Sequence, residues 1–240
     1  MVLLLDTSGS MGGSLRSDFG PKWTKTLLAA DAVLRATPQQ SPVALVTFSD
    51  QVNLSGFETR QEVEQKLIAL KNTKPHGRTA LYGAVHHSIQ LFGTPQFGDS
   101  VFIVSDAVDD YGLEKRKDVA AELIERGIRS FAFVIQDPVG GLKPPEAING
   151  PSDLFEFVKL TGGNYVSPQI PTKWFASKDE VELLQVLRNQ IQSPYRLDLQ
   201  LAASPQKAVK LKITTTVKDL ELAYPERIEP CSVAAAALRP

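Results

Sequence analysis

Three short stretches of the chain carry side chains suited to holding a hard cation. The sequence opens "MVLLLDTSGSMGG", where four apolar residues run into Asp6, and Ser8 and Ser10 follow in a D-x-S-x-S spacing. "KPHGRTAL" puts Thr79 at the start of a helix, with its hydroxyl near the helix N-terminus. "VFIVSD" closes on Asp106. Asp6, Ser8, Ser10, Thr79 and Asp106 together offer two carboxylates and three hydroxyls. Mg²⁺ takes about six oxygens and commonly keeps several waters, so this donor set suits it, and Mn²⁺ and Ca²⁺ accept the same oxygens. Two carboxylates balance a dication and the hydroxyls add no charge. A cation held this way stays electrophilic and can accept one more anionic oxygen from outside. The plain alternative for Asp6, Ser8 and Ser10 is a polar turn capping the next helix, a common use of Ser and Asp. The long stretch Met11–Gly20 before that helix makes capping a poor explanation. For Thr79, capping and ligation are compatible. For Asp106 the alternative is a solvated strand end.

The elements that must position these residues are readable from periodicity. Val2–Leu5, Val43–Phe48, Val101–Val104, Phe131–Ile135 and the weaker Tyr165–Val166 are short runs, apolar on both parities. Such runs read as strands covered on both faces. Between them, helix-period segments occupy Lys22–Ala36, Arg60–Lys71, Thr79–Phe92, Lys115–Arg126, Leu154–Leu160 and Lys178–Ile191. Thr59 with Glu62, and Ser177 with Glu180, have the spacing of capping boxes. This alternation predicts an α/β fold with a doubly wound, mostly parallel central sheet and helices on both faces. Val52–Leu54 follows a strand too closely for a crossover and predicts an antiparallel edge strand. In such a sheet, ligands bind outside the carboxyl ends of the strands. Asp6, Asp106 and the Thr79 segment are expected to share that edge.

After Gln192 no helix interrupts the pattern. Tyr195–Leu201, Ala208–Val217 and Leu220–Tyr224 alternate like strands of an antiparallel meander, and Ala234–Pro240 is expected to fray. The reading is therefore two units, 1–192 and a C-terminal β extension, 193–240.

Bulk properties exclude some classes. The 240 residues are 42% hydrophobic, enough for a sizeable core, and the formal net charge of -1 gives no basic surface for nucleic acid or an anionic membrane. One cysteine, Cys231, rules out an internal disulfide and a cysteine-based zinc site. No segment is long and apolar enough to span a bilayer. Met1 leads straight into a strand with no basic region before it, so no signal peptide is read, and the chain is expected to begin inside a longer natural protein or downstream of its true start.

The three motifs resemble the metal-ion-dependent adhesion site of the von Willebrand factor A family. "DTSGSM" matches the first motif at Asp6, Ser8 and Ser10, "GRTAL" the threonine motif at Thr79, and "SDAVDD" the last at Asp106. A glycine commonly follows that last aspartate, and here Ala107 stands in its place. The order of strands and helices agrees across roughly four fifths of the chain. "NQIQSPYRLDLQLA" and the strands after it look like the bacterial VWFA-related subgroup, whose members carry β-structure on both sides of the A domain and tend to be exported. The resemblance implies a Rossmann-like A domain holding Mg²⁺, Mn²⁺ or Ca²⁺ and acting as a non-enzymatic adhesion or assembly module. The cation would coordinate an Asp or Glu of a protein or peptide partner, and Lys178–Ile191 would be the helix that moves. It favours a secreted, periplasmic or cell-surface location.

Residues flanking the site are candidates for partner contact. Met11 and Gly12 border it on one side, and His76 lies three residues before Thr79. Asp109 adds negative charge beside it, with a solvated loop as the alternative reading. Asp137 opens the Pro- and Gly-rich stretch Asp137–Pro151, which follows a parallel strand and should rise on the same face. Two other functions compete. One is a Mg²⁺-dependent phosphotransferase with an aspartate nucleophile, but that pattern needs a second aspartate two residues on, where Ser8 stands. The other is a scaffold domain with a vestigial metal site.

Overall fold

The computed structural model describes residues 1–12, 22–136, 145–167, 180–199, 205–218 and 222–230. A six-stranded sheet forms its centre. The strands are β1 (Val2–Asp6), β2 (Val43–Phe48), β3 (Val52–Glu58), β4 (Ser100–Ser105), β5 (Arg129–Val134) and β6 (Tyr165–Val166), in the order β3-β2-β1-β4-β5-β6. All neighbours pair parallel except β2 and β3, a hairpin that makes β3 the antiparallel edge. The expected α/β architecture is present.

Strand parity sorts the core into two layers. Val2, Leu4, Val101 and Ile103 face α3 (Leu81–Ile89), α4 (Arg116–Arg126) and α5 (Pro145–Leu160). Leu3, Leu5, Phe102 and Val104 face α1 (Lys22–Ala36), α2 (Arg60–Ala69) and α6 (Glu180–Gln192). Both faces of β1 and β4 are therefore sealed, and each is buried along its whole length. That burial explains runs of apolar residues without alternation. At the start of α2, Thr59 and Glu62 form the expected capping box.

Two expectations change. The stretch before Leu154 is helical from Pro145, so the described part of the expected loop belongs to α5. Pro145 stands at the first helical position, where its missing N–H costs nothing. Pro151 lies inside the helix. Gly150 beside it is a packing residue, because a Cβ there would sit 2.0 Å from the Ala107 carbonyl oxygen. The Gly-Pro pair, a turn signal in sequence, here marks the place where α5 touches the loop after β4.

The second change is in the tail. The described residues from 195 to 199 form no strand, and Tyr195, Leu197 and Leu199 are exposed. The antiparallel sheet that does form is small: β7 (Val209–Lys210) with β8 (Arg227–Ile228), the latter outside the predicted runs. Ser177, Cys231 and Ala234–Pro240 lie outside the described residues, as does most of Met11–Gly20.

Candidate functional site

From β1 the chain winds to β2 and β3 on one side of the sheet, then returns past β1 to build β4, β5 and β6 on the other. The carboxyl ends of β1 and β4 therefore flank the point where the winding reverses, the usual crevice of such sheets. Asp6 and Asp106 sit there. Leu5 pairs with Val104, so Asp6 and Ser105 are next in register, and the Ser105 hydroxyl donates to Asp6 Oδ2 at 2.5 Å. The other Asp6 oxygen accepts the Ser8 N–H at 2.9 Å. Ser8 Oγ and Ser10 Oγ lie 3.1 Å apart, the first residue buried and the second exposed.

Asp6 is fully buried. Burial, and next the negative charge of Asp106, push its carboxyl up to about 7, against hydrogen bonds from Ser105 and Ser8 that favour the charged form. Asp106 is also buried. Its Oδ2 accepts from the Lys22 ammonium at 2.9 Å, while its Oδ1 is enclosed without a hydrogen-bond partner. A buried acceptor left bare is costly, and two carboxylates in one dry pocket repel. The residues present thus fit a divalent cation: it would satisfy the bare oxygen and relieve both charges. Among the described residues no three His, Cys, Asp or Glu side chains gather. An ion here would rest on the two carboxylates with hydroxyls.

Thr79 reaches this edge through main-chain bonds on both sides. Its N–H donates to Asp110 Oδ1 at 2.7 Å, and its carbonyl accepts from the N–H groups of Asp110 and Tyr111. The segment before it is tied to the loop after β1: Gly9 N–H donates to Gly77 O at 3.0 Å and His76 N–H to Thr7 O at 2.8 Å. Gly77 holds φ +85, and a Cβ there would lie 2.5 Å from Asp50 Oδ1, so glycine is required. The helix expected to open at Thr79 starts at Leu81 instead. Its cap comes from across the loop, where Asp109 Oδ1 accepts the Leu81 N–H at 2.8 Å. The "SDAVDD" segment therefore supplies one site carboxylate and two more that hold the Thr79 segment.

The flanking candidates separate. Met11 is wholly buried in the core layer with α1, which removes its side chain from any partner-facing set. Gly12 and His76 are exposed, the latter with Nδ1 3.0 Å from Lys74 O. Asp109 is the helix cap just described, and Asp137 lies outside the described residues.

Two residues escaped the sequence reading. Ser105 was legible in principle: a serine closing an otherwise apolar buried strand, one residue before the aspartate. Lys22 carried a subtler signal. The first turn of α1 contains Lys22 and Lys25 and no acid, and both lysines are buried. A cation at a helix N-terminus opposes the helix dipole, and such local conflict marks sites under another demand.

The family model of the von Willebrand factor type A domain matches residues 1–108. No curated protein matches the chain. Solved structures do. An aerotolerance-related membrane protein from Bacteroides fragilis aligns with a TM-score of 0.60 at 16% identity, covering 80% of this chain and 97% of that one. BatB, a conserved hypothetical protein from Bacteroides thetaiotaomicron, aligns at 0.58 and 16%, covering 80% and 96%. Proximal thread matrix protein 1 from the mussel byssus, with a zinc-occupied MIDAS motif, aligns at 0.53 and 16%, covering 78% of this chain and 44% of that one. At such identities the likeness speaks for the fold.

Proposed function

We propose that residues 1–192 form a von Willebrand factor A domain that binds a divalent cation and, through it, an acidic residue of a protein partner. Asp6, Ser8, Ser10, Thr79 and Asp106 would hold the ion, and residues 193–240 would be an appended β unit. The carrying observation is the bare, buried Oδ1 of Asp106 beside the charge-strained carboxyl of Asp6. When bound, the cation would supply an electrophilic centre for one outside carboxylate. The chain's own groups would do the rest: Ser105 and the Ser8 N–H orient Asp6, and Asp109 and Asp110 fix the Thr79 segment. A zinc-occupied MIDAS in the byssus protein of like fold supports a metal of this class. Mg²⁺, Mn²⁺ and Ca²⁺ all suit the oxygens.

A binding role is favoured over catalysis, because Ser8 occupies the position that aspartate-nucleophile phosphotransfer needs for its acid. No helix among the described residues is long and apolar enough to cross a membrane. The resemblance favours a secreted, periplasmic or cell-surface location.

Calorimetry with Mn²⁺ tests the site. Wild type should bind, and Asp6→Asn should stay folded and give no heat. Pull-down on wild type against Asp6→Asn should then lose the partner. Absence of Mn²⁺ binding by wild type, or undiminished binding by Asp6→Asn, would refute the proposal.

A further inference from the structure

Lys22 is nearly inaccessible to solvent, and its ammonium lies 2.9 Å from Asp106 Oδ2, a carboxylate itself only 6% exposed. The lysine occupies the first position of α1, where the helix dipole disfavours a cation. Burial disfavours it again. A close carboxylate compensates both, and in this structure that carboxylate is a candidate ligand of the divalent ion. The pair spans 84 residues of chain and joins the α1 terminus to the end of β4.

We infer that Lys22 is a built-in competitor for the cation site: its ammonium neutralises Asp106 in the metal-free chain and must leave Asp106 for a divalent ion to bind. The inference rests on the metal reading above. A dication and an ammonium sharing one buried carboxylate would repel strongly at a few ångströms in low dielectric. Lysine suits the exchange, because a flexible four-carbon stem lets its charge swing away while the helix stays in place. The competition has two consequences. The metal-free fold tolerates two buried carboxylates because one carries an internal counter-ion. The affinity for metal is set below what the oxygen ligands alone would give, so occupancy responds to ion concentration.

The test is Mn²⁺ titration of wild type and Lys22→Met, followed by calorimetry and by thermal melting with and without the ion. Lys22→Met keeps the apolar stem and removes the charge. It should bind Mn²⁺ at least ~10-fold tighter than wild type, melt lower without metal, and show the larger Mn²⁺-induced rise in melting temperature. Equal or weaker binding by Lys22→Met would overturn the competitor while leaving the metal site standing. Loss of binding in both proteins would remove the metal site and this inference with it. Should Lys22→Met fail to fold without metal, recovery of its fold by Mn²⁺ supports the competitor. No recovery, with Lys22→Gln binding no tighter than wild type, overturns it.

Discussion

The two loops that meet at the carboxyl edge are built from opposite materials. The described start of the loop after β1 is well bonded: both Asp6 oxygens accept hydrogen bonds, Thr7 donates its N–H and hydroxyl to Phe48 O, and Gly9 and Thr7 are stitched to residues 76 and 77. The loop after β4 is held under tension. Asp106 has one oxygen on a buried lysine and one bare. Ala107 has φ +67, the one non-glycine with positive φ among the described residues, and α5 presses on its carbonyl at Gly150. The two carboxylates share the cost of their charge, but hydrogen bonding is complete at Asp6, while the Asp106 half adds a bare acceptor and a left-handed backbone. Preformed geometry and unmet need divide between two strands, so disturbing either loop should give different results.

Charge removal should separate them most. Asp106→Ala takes from the buried Lys22 ammonium the carboxylate 2.9 Å away, and breaking a buried pair from one side costs up to about 3–5 kcal/mol. The sequence alone suggests that this variant would lose metal while keeping its fold. The ion pair makes it a poor probe of the metal, because lost binding and lost stability would coincide. Urea unfolding of the metal-free protein measures the effect, and a loss under about 1 kcal/mol would show that the pair carries little.

Gly150→Ala comes next. The added methyl has no room against the Ala107 carbonyl, so α5 must shift or the loop must yield, at about 1–3 kcal/mol by the usual cost of overpacking. Metal affinity should fall with stability, because Ala107 adjoins Asp106. A stable variant with unchanged Mn²⁺ binding would show that α5 does not support the site. Asp6→Asn should leave the metal-free protein at least as stable as wild type, since an amide can keep partners in place of the carboxylate and carries no charge for burial and Asp106 to disfavour. Equal losses for Asp6→Asn and Asp106→Ala would abolish the contrast between the loops.

What sequence could reveal of this edge follows the same division. Asp6 and Asp106 were visible because each ends a run of apolar residues, and burial on both sheet faces forces such runs to stop where polar groups can be satisfied. The mostly parallel sheet with its antiparallel edge came from the same alternation, as did the span of α1. Tertiary partners were not visible. Lys22 lies far from Asp106 in sequence, and only the crossover brings them together. Asp109 looked like a loop charge because the helix it caps begins at Leu81, in another segment. In α5, the Gly-Pro signal for a turn lost to packing against Ala107. The tail failed differently. Tyr195, Leu197 and Leu199 alternate as a strand should, yet no described neighbour pairs with them and they stay exposed. Alternation describes a surface ready to join a sheet, and it becomes a strand only when a sheet is offered.

Ala107 offers the finest test. Glycine is common after this aspartate in the family that the motifs resemble, and the structure supplies a reason, since a left-handed backbone costs an L-residue about 1–2 kcal/mol. Alanine keeps a buried methyl, worth about 0.8 kcal/mol, and restrains the unfolded chain by a similar amount. Strain and gain nearly cancel, so Ala107→Gly should lie within about 0.5 kcal/mol of wild type. Ala132→Gly is the control. Ala132 is also wholly buried, but it lies inside β5 and outside the positive-φ residues, so the same substitution there loses methyl and restraint with no strain to release. It should cost more than about 1 kcal/mol. Matched losses at the two positions would mean that the backbone beside Asp106 stores nothing, and the tension assigned to the β4 loop would rest on charge alone.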